Sequence, residues 1–265
     1  MSGLTFGGVD LGGSTYGVAL MGVPSTMHGM ADAKRSAIDT AGDGAVSFVG
    51  GVKNSRLTIE CAITATSAAA TRTQLDAVLG VLDPRKGVQL LSLAFDTTRS
   101  YYAILDGPVY PVFYPAGCTF QLNFLLPDGM AVAASATSRT GVDATATLYE
   151  PSSSSAVVAG NTAAHPVWLI KNTGDPVTGL TMTNVTTGQV CVWTGLLATG
   201  AWLRLNADTI LVERSTDSGT NWTTVTSGLS DADKPLTLRA GARNQITIAT
   251  LTAGTVDLTY RAEYL

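Results

Sequence analysis

The sequence is poor in charge, and poorest in the two residues that coat helices. Charged side chains make up 14% of 265 residues, well under the roughly 25% of an average globular chain. Only four residues are Glu and five are Lys, against 37 Thr. Glu and Lys cover the wet faces of helices, whereas Thr is stiff at χ1 and suits a pleated surface. Composition therefore excludes a mainly helical protein. A net charge of −4 also excludes the concentrated basic footprint of a nucleic-acid binder. Cysteine is scarce: Cys61, Cys118 and Cys191 are odd in number and far apart, which excludes a disulfide framework and any Cys-x-x-Cys metal clip. Long apolar runs are missing too. The longest uncharged stretch, 176–203, is broken by seven Thr and four Gly, so no membrane insertion is expected. The first charge is Asp10 and the first basic residue Lys34. Without a basic segment ahead of an apolar run no secretory signal is expected, and synthesis is assigned to a reducing cytoplasm.

What is present is strand signal. Leu57, Ile59, Cys61 and Ile63 alternate with polar or small residues, a period of two with one buried face. Leu91, Leu93 and Phe95 repeat it, as do Phe120, Leu122, Phe124 and Leu126, and finally Val256, Leu258, Tyr260, Ala262 and Tyr264. The aromatic, proline-punctuated 101–115 segment suits short or edge strands. One helix is predicted over about 71–82: Thr71 and Gln74 have capping-box spacing, Leu75, Val78, Leu79 and Leu82 share a face, and Pro84 stops it. From 134 to 155 Ala, Ser and Thr dominate, which predicts a linker whose flanks can pair as strands. The expectation is two mainly β domains, 1–133 and 156–265, with the α content confined to one helix.

Few constellations carry chemistry. Gly8-Val9-Asp10-Leu11-Gly12-Gly13-Ser14-Thr15 resembles the first phosphate motif of the sugar-kinase and actin superfamily, but the later acidic strand end, adenosine loop and alternating helices are missing. A turn between two short strands, with Gly supplying positive φ, accounts for it. Ser215-Thr216-Asp217-Ser218-Gly219-Thr220-Asn221-Trp222 matches an Asp-box with Asn221 in place of Thr. Asp217 can bond turn amides, Gly219 can take positive φ and Trp222 can pack beneath. A propeller needs one such box per blade; a single copy reads as a self-stapled hairpin.

His28 and His165 sit in no nucleophile or zinc spacing, and the four Glu form no evident acid/base pair. No catalytic, cofactor or metal residues are expected. Trp168 and Trp193 lie in apolar runs and read as buried, leaving Trp202 and Trp222 as candidates for stacking on a sugar. The polar, glycine-bearing 28–56 segment is long for a loop in a compact domain. Within it Val46, Phe48 and Val49 could form a hairpin arm that reaches a neighbouring molecule.

The order of these features resembles the distal tail protein (Dit) family of long-tailed, siphovirus-type phages. The resemblance runs through Gly7-Gly8-Val9-Asp10-Leu11 and Tyr16-Gly17-Val18, then Asp43-Gly44 leading to Arg56-Leu57-Thr58-Ile59. It continues with Leu79-Gly80-Val81-Leu82-Asp83-Pro84, Tyr101-Tyr102-Ala103, and Phe120-x-Leu-x-Phe124 closing on Pro127-Asp128. In the second half it covers Ala164-His165-Pro166-Val167, Asn184, Thr187-Gly188-Gln189, Leu236-x-Leu238, Gly241 and Asn244-x-Ile246.

It implies a structural protein of two β-sandwich-type domains. The first would carry one helix and a long β-arm, here 28–56, that clasps the next subunit of a hexameric ring. The second would be galectin-like or carbohydrate-module-like. The implied partners are further copies of the chain, the tail tube protein, the tail hub or tail-associated lysin, the tape-measure protein, and baseplate or receptor-binding proteins. The implied place is the virion tail tip, after synthesis in the host cytoplasm. The second half departs from a generic member in its Ala/Thr-rich linker. An alternative is a carbohydrate-binding adhesion module acting through Trp202 and Trp222; an enzyme such as a sugar kinase or glycosidase is the third class.

Overall fold

The computed structural model describes residues 3–22, 33–39, 45–52, 55–229 and 234–264. The chain is mainly β and divides after Ala134 into two compact units.

Along the first unit run β1 (Leu4–Phe6), β2 (Val9–Asp10), β3 (Val18–Leu20), β4 (Ala33–Asp39), β5 (Ala45–Val52), β6 (Ser55–Thr64), α1 (Ala68–Val81), β7 (Gln89–Leu93), β8 (Asp96–Leu105), β9 (Val112–Tyr114), β10 (Gly117–Leu126) and β11 (Ala131–Ala133). The strands order as β2-β1-β7-β8-β10-β6-β3, with β9 added on β10 and β11 on β8. The spine is the antiparallel β6–β10 pair, in unbroken register from Ser55↔Leu126 to Thr64↔Gly117. Its alternation buries Leu57, Ile59, Cys61 and Ile63 against Phe120, Leu122 and Phe124. Phe6 of β1 meets Phe124 of β10, ring centroids 5.6 Å apart. Strands β1 and β10, separated in the path by β7 and β8, thus meet over one core, at a separation that suits aromatic pairs. Burial lifts the Cys61 thiol to about 12, so Cys61 packs as a small hydrophobe rather than a nucleophile.

The helix starts earlier than its capping-box spacing predicts. Ser67 is the N-cap and its hydroxyl accepts from the Ala70 amide. Thr71 lies inside the first turn, fully buried, and its hydroxyl donates to the Ser67 carbonyl at 3.0 Å. Leu75, Val78 and, just past the end, Leu82 face the core as expected. Between β3 and β6 the chain makes β4 and β5, which pair with each other from Asp39↔Ala45 to Ala33↔Val52 and form a two-stranded sheet of their own.

The second unit contains β12 (Thr137–Asp143), β13 (Leu148–Glu150), β14 (Val167–Asn172), β15 (Val177–Asn184), β16 (Gln189–Leu197), β17 (Trp202–Asn206), β18 (Leu211–Ser215), β19 (Thr223–Thr224), β20 (Asn244–Ala249), β21 (Gly254–Tyr260) and β22 (Glu263–Tyr264). One sheet runs β12-β21-β14-β17-β18-β19 and a second β13-β20-β15-β16. Trp168, Ile170, Leu203, Leu205 and Val256 of the first join Leu180, Met182, Trp193 and Ile246 of the second in a single core. This is a two-sheet sandwich. The 134–155 segment is therefore not a free linker: β12 pairs with β21 and β13 with β20. Its composition hid this because β12, at the sheet edge, has no buried side chain and hence no apolar alternation. Three fully buried asparagines, Asn172, Asn184 and Asn244, satisfy loop carbonyls through their side-chain amides, as buried polar groups must.

Candidate functional site

Gly7 and Gly8 form the two-residue turn between β1 and β2, both at positive φ (57° and 82°), which suits a tight hairpin. Asp10 then accepts from the Gly12 amide at 2.9 Å. The kinase-like string is thus a hairpin and its Asx-type follow-on.

The Asp-box string closes β18 onto the short β19. The Ser215 hydroxyl donates to Asp217 Oδ1 at 2.6 Å and accepts from the Gly219 amide at 2.9 Å. Asp217 also accepts from the Asn221 amide at 2.9 Å and from the Asn221 side chain at 2.5 Å. These bonds, led by the Asn221 backbone amide, hold the Asp217 carboxyl at about 2, because each favours the charged form. Ser218 and Gly219 take φ of 56° and 87°. A Cβ added at Gly219 would stand 2.7 Å from the Trp202 ring. The ring that meets the turn is therefore Trp202 of the neighbouring strand.

Trp202 and Trp222 are half-buried, whereas Trp168 and Trp193 are buried. Each half-buried ring carries a cation. Lys171 Nζ lies 4.7 Å from the Trp202 ring centre and the Arg204 guanidinium 4.2 Å from that of Trp222. Both cations are in turn paired, Lys171 with Asp257 at 2.5 Å and Arg204 with Glu213 at 2.6 Å. The result is a neutralised stripe of aromatic and charged side chains, with cation–π contact contributing about 0.5–1 kcal/mol where exposed.

A buried charge lies elsewhere in the second unit. Glu150 is 1% exposed and accepts from Arg139 and from the Tyr260 hydroxyl, each at 3.0 Å. Burial, and then the Glu150 charge, push the Tyr260 phenol well above its ordinary value. No sequence pattern flagged this cluster, since Tyr260 lies 110 positions from Glu150. Among the described residues, no group of three or more His, Cys, Asp or Glu is placed to hold a metal ion. No described helix is long and apolar enough to cross a membrane. His28 lies outside the described residues, as do the side chains of Val46, Phe48 and Val49; the backbones of these three stand in β5 opposite Ile38, Ser36 and Arg35.

An apolar surface that no motif signalled sits in the first unit. Tyr110 is 77% exposed, Val112 68%, and Phe113 and Tyr114 are also exposed. No charged residue occurs from Gly107 to Pro127. Strand β9 pairs with Thr119, Cys118 and Gly117 of β10 and, among the described residues, with no other strand. The exposed Arg72 of α1 lies over the Phe113 ring, 5.7 Å from its centre. Monomers rarely leave an uncharged, aromatic strand edge open.

No family model and no curated relative matches the sequence. Solved structures do. The SPP1 Dit protein, described as a paradigm of the hub adsorption apparatus in phages that infect Gram-positive hosts, matches with a TM-score of 0.69 and 12% identity over 99% of each chain. The phage P2 baseplate in its activated conformation, with Ca and with Sr, matches with a TM-score of 0.57 and 9% identity over 96% of this chain and 92% of that one. At these identities the likeness is one of fold. Over almost its whole length, the chain has the fold of a phage Dit protein.

Proposed function

We propose that the chain is a structural subunit of a phage tail tip, forming a hexameric ring that joins the tail tube to the hub and baseplate and lets DNA pass. The observation that carries this is the match to the SPP1 Dit protein across 99% of both chains, which takes in both units rather than one common sandwich. Physical features support it. The open β9 edge and the separate β4–β5 hairpin are surfaces that a closed ring would cover. The 1–133 half holds 8 basic and 10 acidic residues, and a bore without excess positive charge would not retain passing phosphates. The hairpin, with Val46, Phe48 and Val49, is the arm of this ring. The role is non-enzymatic, the partners are other tail components, and the place of action is the virion.

Negative-stain images of the purified chain should show annular particles with six-fold symmetry; monomeric particles at high concentration would overturn the ring. The Trp202 and Trp222 stripe supports a second reading only weakly, since a cation already lies against each ring. A cell-wall polysaccharide titration that quenches their fluorescence would favour an adhesion module.

A further inference from the structure

We propose that Tyr110 of one copy of this chain enters an open pocket between β1 and the β7–β8 turn of the next copy. The inference rests on the ring assignment and adds to it a contact through which one first unit meets another. The 107–116 segment carries no charge and holds Pro108, Pro111 and Pro115. Pro111 and Pro115 bracket the three residues of β9, and proline has no N–H to offer a further strand. The surface therefore makes contact through its side chains. Proline also fixes φ, so the loop presents Tyr110, 77% exposed, with little backbone entropy left to lose. Tyrosine is among the residues that most often anchor an interface, and an anchor needs a pocket.

The first unit has one. It measures about 320 Å³ and is lined by Leu4, Thr5, Ser92, Leu93, Ala94 and Asp96 among others. That is the small end of the range for ligand sites, about 300–1,000 Å³, with room for an aromatic ring. Leu4, Leu93 and Ala94 make the lining partly apolar, and Asp96 adds a carboxylate. Asp96 Oδ1 accepts from the amide and the hydroxyl of Thr98. A carboxylate has about four acceptor sites, so Asp96 keeps capacity for a phenol hydroxyl. Arg72, exposed beside Phe113, sets a cation at the rim of the tyrosine's surface, opposite in sign to the acid of the pocket.

Register sets the tyrosine and the pocket at opposite ends of the unit. Strand β8 runs nine residues from Asp96, at the pocket, to Leu105, which pairs with Phe124 of β10. In the same direction β10 continues six residues from Phe124 to Cys118, the partner of Phe113 in β9. At about 3.3 Å per residue this is roughly 50 Å of strand path, which holds Tyr110 away from the pocket of its own copy. A contact between two different surfaces is heterologous, the kind that closes a ring rather than a two-fold dimer.

The test uses the full chain with benzoylphenylalanine, a photo-crosslinking aromatic residue, at position 110, in isotopically light and heavy copies assembled together. A light-to-heavy crosslink into residues 3–5 or 92–97 supports the proposal. Crosslinks confined to other peptides, or within one copy, overturn it, while a six-fold mass leaves the ring standing. A wild-type chain that stays single at high concentration removes the ring and this inference with it. Two exposed positions give an independent arm. Tyr110→Ser removes the anchor and Ala94→Trp fills the pocket. Each should raise the concentration needed for half assembly about thirty-fold, the effect of losing a hot-spot residue. The double variant should stay within about two-fold of either single one, because both changes remove the same contact. Effects that multiply, or a single variant that assembles like wild type, would contradict the pairing.

Discussion

Trp193 offers the sharpest test of how the second unit is packed. Its ring is 1% exposed, and its indole N–H donates to the Val225 carbonyl at 3.3 Å. Two glycines press on it: a Cβ at Gly195 would lie 2.2 Å from the ring and one at Gly228 2.3 Å from it. The φ of Gly195 is not in the left-handed region, so alanine there meets no backbone strain. In open space Gly→Ala would stabilise by about 0.4–1 kcal/mol through the unfolded chain. Against the indole it should instead destabilise by about 1–3 kcal/mol, the usual cost of overpacking. Trp193→Phe removes the crowded part of the ring and leaves the Val225 carbonyl bare, at about 2 kcal/mol. In that background Gly195→Ala should cost close to nothing, a coupling of about 1–3 kcal/mol within the range for residues in contact. Urea unfolding followed by tryptophan fluorescence suits the measurement, since Trp168, Trp193, Trp202 and Trp222 all lie in the second unit and report on it alone. If Gly195→Ala costs the same beside Phe as beside Trp, the packing argument is wrong.

Other perturbations follow from single interactions. Glu150→Ala should cost about 3 kcal/mol in the same unfolding assay, because it strands Arg139 and the Tyr260 hydroxyl without their acceptor; a loss below about 1 kcal/mol would contradict the buried network. Ser67→Ala should cost about 1 kcal/mol by removing the cap of α1, whereas Thr71→Ser, which keeps the bond to the Ser67 carbonyl, should cost less. The depressed Asp217 carboxyl stabilises its turn in the charged form. That contribution is complete above the unfolded value near 3.9 and is lost as pH falls through about 2. Hydrogen exchange at the Asn221 amide should therefore lose protection over this range in wild type. In Asp217→Asn the pH dependence should vanish, and an unchanged profile would disprove the assignment.

The strands that bury a continuous face were legible in the sequence, because β6, β10 and β21 keep their apolar residues at every second position. The edge strand β12 was not: neither of its faces is buried, so periodicity had nothing to record. The helix face could be read and its start could not, since Thr71 and Gln74 imitate a capping box within a helix that Ser67 caps. The sequence placed the Asp-box turn at Ser215–Trp222 but not its neighbour, as Trp202 comes from the adjacent strand and only the β17–β18 register sets it against Gly219. The exposed β9 surface had the same composition as a core strand. Whether such a run faces inward depends on what covers it, which local pattern does not encode.

The central claim is that this chain assembles into a closed ring, and light scattering on the full chain across a range of concentrations addresses it most directly. A mass six times the 27.3 kDa of one chain, held on dilution, is the expected result. A mass of one chain that persists at high concentration would contradict it.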